Sequence, residues 1–474
     1  MNYYEPLKKS QRFNLGAKKR KSKENPYNLM IFWTDVKANQ NIGVVITKAF
    51  IFGKTPQKAA MRLFLILVIL CGFYNEAYGK GSLDIDIKLK ALNKPALKTI
   101  KSTDGDIIDC IDIYKQHAFD HPALRNHKIQ MKPSVEFGTK KTTTIPNNGS
   151  SEQITSQVWS KSGNCPMGTI PVRRVSREDI SRASSPSEFG RKTPHRYKFL
   201  DNALQHKGNF NITAEKINQA QPRLRSEAFI VALGYNFVGA QSDINIWNPS
   251  RVEASDYSTA QIWLVGGLSD TFESLEAGWM VNPAVFGDSR TRLFISWTRD
   301  AYTKTGCINL LCAGFVQTSQ KFALGATIEP VSSASSTQYD ITVSVFLDPN
   351  SGNWWLTCAN NVMGYWPGTL FNYLKHSATA VQWGGEVHSP NVILKKPHTT
   401  TSMGSGQWAS YIWAEACYHT NIRIKDYSMQ IKYPKYLSEY ADEYECYSTK
   451  LHRKTYMSEP HFYFGGPGRN SRCP

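Results

Sequence analysis

Residues 339–358 read Tyr339-Asp340-Ile341-Thr342-Val343-Ser344-Val345-Phe346-Leu347, then Asp348-Pro349-Asn350-Ser351-Gly352, then Asn353-Trp354-Trp355-Leu356-Thr357-Cys358. In the first part Ile341, Val343, Val345 and Leu347 recur at every second position, the period that puts side chains on one face of a strand. The middle five residues are turn formers, and the aromatic run behind them is the returning strand of an antiparallel hairpin. The same signal repeats outward from this hairpin. Gln261–Val265, Arg292–Trp297, Gln382–Val387, Trp408–Trp413 and Asn421–Ile424 are short alternating runs between Gly, Asn and Asp turns. So many short strands in residues 226–474 predict an all-β domain, an antiparallel β-sandwich or barrel.

Upstream the pattern loosens. Leu83, Ile85, Ile87 and Leu89 alternate with charged residues, and Ile107 to Tyr114 repeats an apolar pattern, so both read as short strands of a small β-rich module. Thr139 to Gly149 and Ser181 to Pro194 are rich in Ser, Thr, Gly, Pro and basic residues and bury too little apolar surface to stay ordered alone. Residues 80–225 are therefore expected to be a module with a flexible basic connector.

The chain has 474 residues, 41% hydrophobic and 20% charged, which excludes wholesale disorder and suggests two or three domains. Its formal charge of +18 is unevenly spread: +9 in residues 1–60, +11 in 80–225 and −2 in 226–474. The excess thus belongs to the N-terminal half, and a nucleic-acid partner is excluded for the C-terminal domain.

From Met61 the sequence runs Met-Arg, an apolar stretch from Leu63 to Phe73, and Ala77-Tyr78-Gly79. One positive residue, a short apolar core and small residues before a cut after Gly79 predict a secretory signal peptide at 61–79. The competing reading is a type II membrane anchor, for which the run is short. Met61 is then expected to be the true start, with residues 1–60 a spurious or disordered extension. The destination is extracellular, in cell wall or vacuole, with no membrane contact after signal cleavage.

Cysteine usage agrees with that route. Eight cysteines follow the signal. Cys307 with Cys312 would close a small loop, Cys446 with Cys473 would tie down the C-terminus, and Cys110 with Cys165 would staple the N-terminal module. Cys358 and Cys417 read equally as a fourth bridge or as buried thiols. Asn148 and Asn211 stand in glycosylation sequons.

Common catalytic signatures are missing: there is no His-Glu-x-x-His, phosphate loop, Gly-x-Ser-x-Gly elbow or Cys-x-x-Cys. Gly287-Asp288-Ser289 and Gly404-Ser405-Gly406 are ordinary turns of an all-β chain, and His388 and His398 are not spaced as a metal pair. Two carboxylates remain. Glu276 stands in Glu276-Ala277-Gly278-Trp279, and Glu386 in Trp383-Gly384-Gly385-Glu386-Val387. Glycines permit close backbone approach, and indoles supply apolar walls that raise a carboxyl's proton affinity.

Those two segments, together with Gly306-Cys307 to Gln317, Gly364-Tyr365-Trp366-Pro367, Met403-Gly404-Ser405-Gly406 and Tyr463 to Gly468, resemble the neprosin family of plant secreted glutamic peptidases. Upstream, Thr103 to Cys110, His127 to Ser134 and Gly163 to Pro171 resemble that family's activation peptide. The resemblance implies a zymogen whose mature domain is an antiparallel β-sandwich with a glutamate pair, here Glu276 and Glu386. It implies cleavage after proline at acidic pH, a peptide or protein substrate and the chain's own propeptide as inhibitor; a monomer is expected, and the sequence gives no sign of a cofactor. It also matches Cys307–Cys312 and Cys446–Cys473 to family disulfides. The long basic connector between Pro171 and Arg225 departs from the pattern and leaves the maturation site, between about Arg191 and Ser226, open.

Charge adds an expectation about activation. A +11 propeptide beside a −2 catalytic domain is complementary near neutrality. Acid reverses this: carboxylates neutralise, and the five histidines of 80–225 and six of 226–474 charge below about pH 6.5, so the parts repel. Two rivals to the peptidase reading are a two-carboxylate glycoside hydrolase and a catalytically inactive wall- or carbohydrate-binding β-sandwich.

Overall fold

A computed structural model describes residues 82–135, 137, 151–197 and 223–474. The extension 1–60, the signal segment 61–79, the Thr139–Gly149 stretch, Asn148 and Asn211 lie outside the described residues. Among the described residues no helix is long and apolar enough to cross a membrane.

The N-terminal region contributes β1 (Ala96–Lys101), β2 (Ile107–Asp112), β3 (Ser151–Gln153) and β4 (Thr169–Arg173), of which β1, β2 and β4 form a small antiparallel sheet in that order. The C-terminal region contributes β5 (Arg225–Asn245), β6 (Tyr257–Gly266), β7 (Glu273–Val281), β8 (Arg292–Thr298), β9 (Val316–Gln317), β10 (Gln338–Leu347) and β11 (Trp354–Cys358). It continues with β12 (Asn361–Trp366), β13 (Ala378–His388), β14 (Cys417–Asp426), β15 (Ile431–Lys432), β16 (Ser438–Ala441), β17 (Ser448–His452) and β18 (His461–Gly465). These join in one large sheet, whose main path is β8-β7-β6-β13-β5-β10-β11-β12-β9. Pairing within it is antiparallel except where β3 joins β10. The hairpin read from sequence is β10 and β11, with Leu347 opposite Trp354.

The long strand β5 makes the sheet curl. Its first half pairs with β13 and β16, and its second half with β10 and β14. The ladder breaks between Leu233 and Phe237, where a bend carries the strand from one layer to the other. Trp383 shows the folding over: its backbone lies opposite Ile230, while its indole donates to the carbonyl of Gln241 at 3.2 Å. Trp279 likewise donates to Asn245 O at 2.8 Å. Ile262, Leu264, Leu275, Ala277 and Ile295 fill the space between the layers with next to no exposure.

Three sequence expectations are corrected. Residues 82–92 form a helix and not a strand. Ile85, Leu89 and Leu92 share one helical face and pack on Val175 and Ile180, while Leu83 and Ile87 point to solvent. Positions 85 and 89 satisfy the strand's period as well as the helix's, whereas 92 joins them only at the helical period, and packing chose the helix. Trp408–Trp413 is no strand: Ala409–Tyr411 is a 3-10 turn, with Tyr411 and Ile412 exposed. Six residues with three aromatics are too few to separate a strand from a turn. Finally, Ser181–Pro194 is not a loose connector. It packs on the C-terminal domain through Phe189, which is 1% exposed.

Residues of both expected domains lie in one unit, Ser82–Pro474. Gln116 exchanges bonds with Gln317 of β9, accepting from its N–H at 2.8 Å and donating to its carbonyl at 3.1 Å. Arg292 reaches Asp106 at 2.6 Å, and Asp348 accepts from Ser134 N–H at 2.8 Å. Cys110 is bonded to Cys165, Cys307 to Cys312 and Cys446 to Cys473. Cys358 and Cys417 are buried free thiols.

Candidate active site

Strands β7, β6, β13 and β5 lie side by side, and their register sets the site. Glu276, Trp263, Gln382 and Val231 oppose one another in one row. Two residues along each strand, Gly278, Gln261, Gly384 and Phe229 form the next row, and Met280, Thr259, Glu386 and Glu227 the third. Residues two apart on a strand share a face, so all three rows look the same way. The two glutamates therefore sit on either side of a row in which Gly278 and Gly384 flank Gln261. Without side chains, those positions leave open the space above Gln261. A Cβ on Gly278 would meet Ala260 O at 2.1 Å, so the strands need glycine there.

Each glutamate has its own set of donors. Glu276 accepts from the Tyr302 hydroxyl, from Ser274 Oγ at 3.1 Å and from Gln261 Nε2 at 3.2 Å. Glu386 accepts from the Tyr257 hydroxyl. Both carboxyls are wholly buried. Burial first, and the facing carboxylates next, push both phenols well above their usual range, so Tyr257 and Tyr302 remain donors.

The two sets meet at a residue absent from the sequence reading. Lys192 reaches Glu276 Oε2 at 2.8 Å and Glu386 Oε1 at 3.0 Å, and its side chain is 1% exposed. It comes from the stretch read as a loose connector. That stretch is held by Ile308 N–H donating to Gly190 O at 3.0 Å and by pairing of Arg191 with Cys307. Gly190 turns the chain at φ +74°, where a Cβ would also lie 2.3 Å from Leu311. The one signal available in sequence was Lys192 framed by Phe189 and Tyr197 within a polar run.

Arg225, at the start of β5, lies 3.7 Å from Glu386, stacks over the Tyr302 ring at 4.8 Å and donates to the carbonyl of Thr193. Burial opposes ionisation of Glu386, but Lys192, Arg225 and the Tyr257 hydroxyl outweigh it and hold this carboxyl down at about 2. Glu227 is the reverse case. Burial raises it, Glu386 and Asp442 raise it further, and its proton affinity ends well above the carboxylate range.

His388 stacks on Tyr257 at 4.9 Å, whereas His398 is bound to Glu443 at 3.2 Å. Cys446 and Cys473 lie near His398, but both sulfurs are taken by their disulfide. The arrangement suits proton transfer: two buried carboxyls with separate donors, and a cation between them.

A profile of the neprosin activation peptide matches residues 99–214, and a profile of the neprosin domain matches residues 254–467. The chain belongs to the neprosin family. Lys192 falls in the neprosin activation-peptide match, and Glu276 and Glu386 fall in the neprosin match. Among solved structures, one of scytalido-glutamic peptidase with a peptide-based transition state analog is similar at TM-score 0.27 and 11% identity, covering 50% of this chain and 98% of that one. A member of the eqolisin family of peptidases in complex with the tripeptide Ala-Ile-His is similar at TM-score 0.27 and 10% identity, covering 50% and 96%. A homodimeric agglutinin from chicken liver follows at TM-score 0.19 and 11% identity, covering 34% and 95%.

Proposed function

We propose that this neprosin-family chain is the zymogen of a secreted glutamic endopeptidase that works at acidic pH, with Glu276 and Glu386 as its catalytic pair and cleavage after proline. The observation that carries the reading is the convergence of both glutamates, from different strands, on one lysine of the activation peptide. An ammonium held there occupies the space a water and a scissile carbonyl need, and its charge ties up both carboxylates. Residues up to Tyr197 thus act as the inhibitor, and cleavage in the segment that follows frees the site.

With Lys192 withdrawn, two carboxyls at this spacing share one proton. Arg225 stays beside Glu386 and favours its ionised form, so Glu386 is assigned as the base and Glu276 as the acid. Glu386 takes a proton from water as the oxygen attacks the carbonyl carbon, and Glu276 gives its proton to the developing oxyanion. As the C–N bond breaks, the nitrogen takes the proton from Glu386 and one hydroxyl of the intermediate returns a proton to Glu276. Acid and amine leave, and the pair is restored. The Tyr302 and Ser274 hydroxyls orient Glu276, and Tyr257 orients Glu386. Activity falls when both carboxyls ionise, because the oxyanion donor is lost, and when both are protonated, because the base is lost.

The test is cleavage of a proline-containing peptide between about pH 3 and 7 by acid-treated secreted protein and by Glu276→Gln and Glu386→Gln. Each variant should fold and lose about 10²–10⁴-fold in kcat, the range for a general acid or base. Cleavage undiminished in either variant refutes the pair. A folded, propeptide-free protein that cuts nothing returns the binder and glycosidase readings.

A further inference from the structure

Beyond Lys192 the inhibitory segment continues in extended form along the domain. His195 N–H donates to Ala301 O at 3.2 Å, and Tyr197 N–H donates to Ser269 O at 3.0 Å. Bonds from alternate residues to main-chain carbonyls hold an extended peptide whatever its sequence. Pro194 and Arg196 point outward, while the side chain of His195 is 8% exposed and Tyr197 is 3% exposed.

The inward pair fills a shaped pocket. The Tyr197 ring lies 4.6 Å from Phe272 in a cluster with Phe229, Trp263 and Tyr302. His195 stands edge-on to Tyr197 at 4.5 Å. At the polar end, Glu227 Oε1 lies 3.5 Å from His195 Nε2 and 3.4 Å from the Tyr197 hydroxyl. Every wall residue belongs to the domain that carries Glu276 and Glu386. Phe229 and Glu227 sit in the same rows of the sheet as Gly384 and Glu386, so the pocket adjoins the reacting centre.

We propose that this pocket is a substrate subsite, occupied by the segment as a mimic, which selects an aromatic side chain at a fixed distance from the scissile bond, with Glu227 as its specificity-determining polar group. The inference rests on the peptidase reading. Departure of the segment would bare an aromatic patch beside a catalytic pair, two main-chain acceptors and a carboxyl short of donors, an arrangement that an extended peptide completes. The ring supplies the burial and its hydroxyl or N–H meets Glu227, so tyrosine or histidine fits best and phenylalanine fits without the polar contact.

The test uses the acid-matured product of the full chain and the octapeptide Gly-Arg-Lys-Thr-Pro-His-Arg-Tyr, which matches residues 190–197, with tyrosine replaced by phenylalanine or alanine. Affinity is read by calorimetry at about pH 4, and cleavage of longer peptides with tyrosine scanned along them is followed in parallel. Alanine should weaken binding at least about tenfold, the equivalent of burying a ring. Phenylalanine should weaken it a few-fold, and Glu227→Gln should abolish the tyrosine–phenylalanine difference. Equal affinity of the tyrosine and alanine peptides overturns the subsite, and so does a complete lack of binding. Tyrosine-dependent binding with no bond cut refutes the peptidase reading alone, whereas cleavage indifferent to tyrosine at every position refutes the subsite alone. If Glu227→Gln does not fold, the tyrosine-to-alanine comparison on unaltered protein decides.

Discussion

Glu227 and Glu386 are direct partners across the β5–β13 ladder, yet they hold protons oppositely. Both are buried, but Lys192 and Arg225 side with Glu386, which drops to about 2, while Glu227 rises well above the usual range. The same ladder therefore favours the ionised form of one carboxyl and the protonated form of the other.

A raised carboxyl contributes stability that is present below its unfolded value and lost as pH rises through the folded one. Glu227→Gln should therefore stabilise the closed chain at pH 7.5 and leave it unchanged near pH 4. The expected rise is about 2–4 °C in Tm for each kcal/mol removed, read by calorimetry at both pH values. A Tm that falls equally at both would show that Glu227 is held by bonds and not by electrostatics.

Lys192→Met leaves Glu276 and Glu386 buried without their cation. Breaking a buried ion pair on one side costs about 3–5 kcal/mol. The loss in thermal stability should be large at pH 7 and smaller at pH 4, where the carboxyls take up protons. The same variant should cleave peptide at pH 4 without prior processing of the segment. Latency as tight as in the unaltered chain would assign inhibition to the remainder of residues 82–197.

Release by acid should draw on histidines more than on the Lys192 contact. The depressed Glu386 keeps its share of the latch above its ordinary value and yields it only as pH falls toward about 2. His117, His127 and His195 are lowered first by burial. Closed and open forms both hold neutral rings above about pH 6.5, and below it the open form binds protons first, so closure weakens as pH falls. Hydrogen exchange of the His195 and Tyr197 amides, corrected for intrinsic rate, should lose protection between pH 7 and 5. His195→Phe should flatten that slope. A flat profile in the unaltered chain would rule histidine linkage out.

Gly278→Ala should cost about 1–3 kcal/mol or more, because the new Cβ lands 2.1 Å from the Ala260 carbonyl and only backbone movement relieves it. Widening the β6–β7 pair would shift Glu276, so activity should fall further than stability. Urea unfolding beside kcat would separate the two, and a fall in stability with kcat intact would place the glycine in strand packing only.

Much of the domain was legible in the chain. The hairpin of β10 and β11 follows from the alternation of Ile341 to Leu347 and the turn at Asp348–Gly352, since both signals are local. Glu276 and Glu386 could be singled out for their glycines, and the register supplies the reason: Gly278 and Gly384 clear the row between them. Local alternation misled at residues 82–92 and at Trp408–Trp413, where the face that packs was settled by distant partners.

By itself the sequence determined an antiparallel all-β chain and the family motifs, and it offered two candidate carboxylates, because period-two patterning, turn chemistry and glycine placement act over a few residues. Tertiary structure alone decided what lies between those carboxylates. Lys192 is 84 residues from Glu276 and 194 from Glu386, and its stretch reads as polar connector because its order comes from the domain beneath it. Phe189 and Tyr197 anchor that stretch in pockets assembled from several strands, and a buried ammonium is tolerable only where two carboxylates from separate strands converge on it.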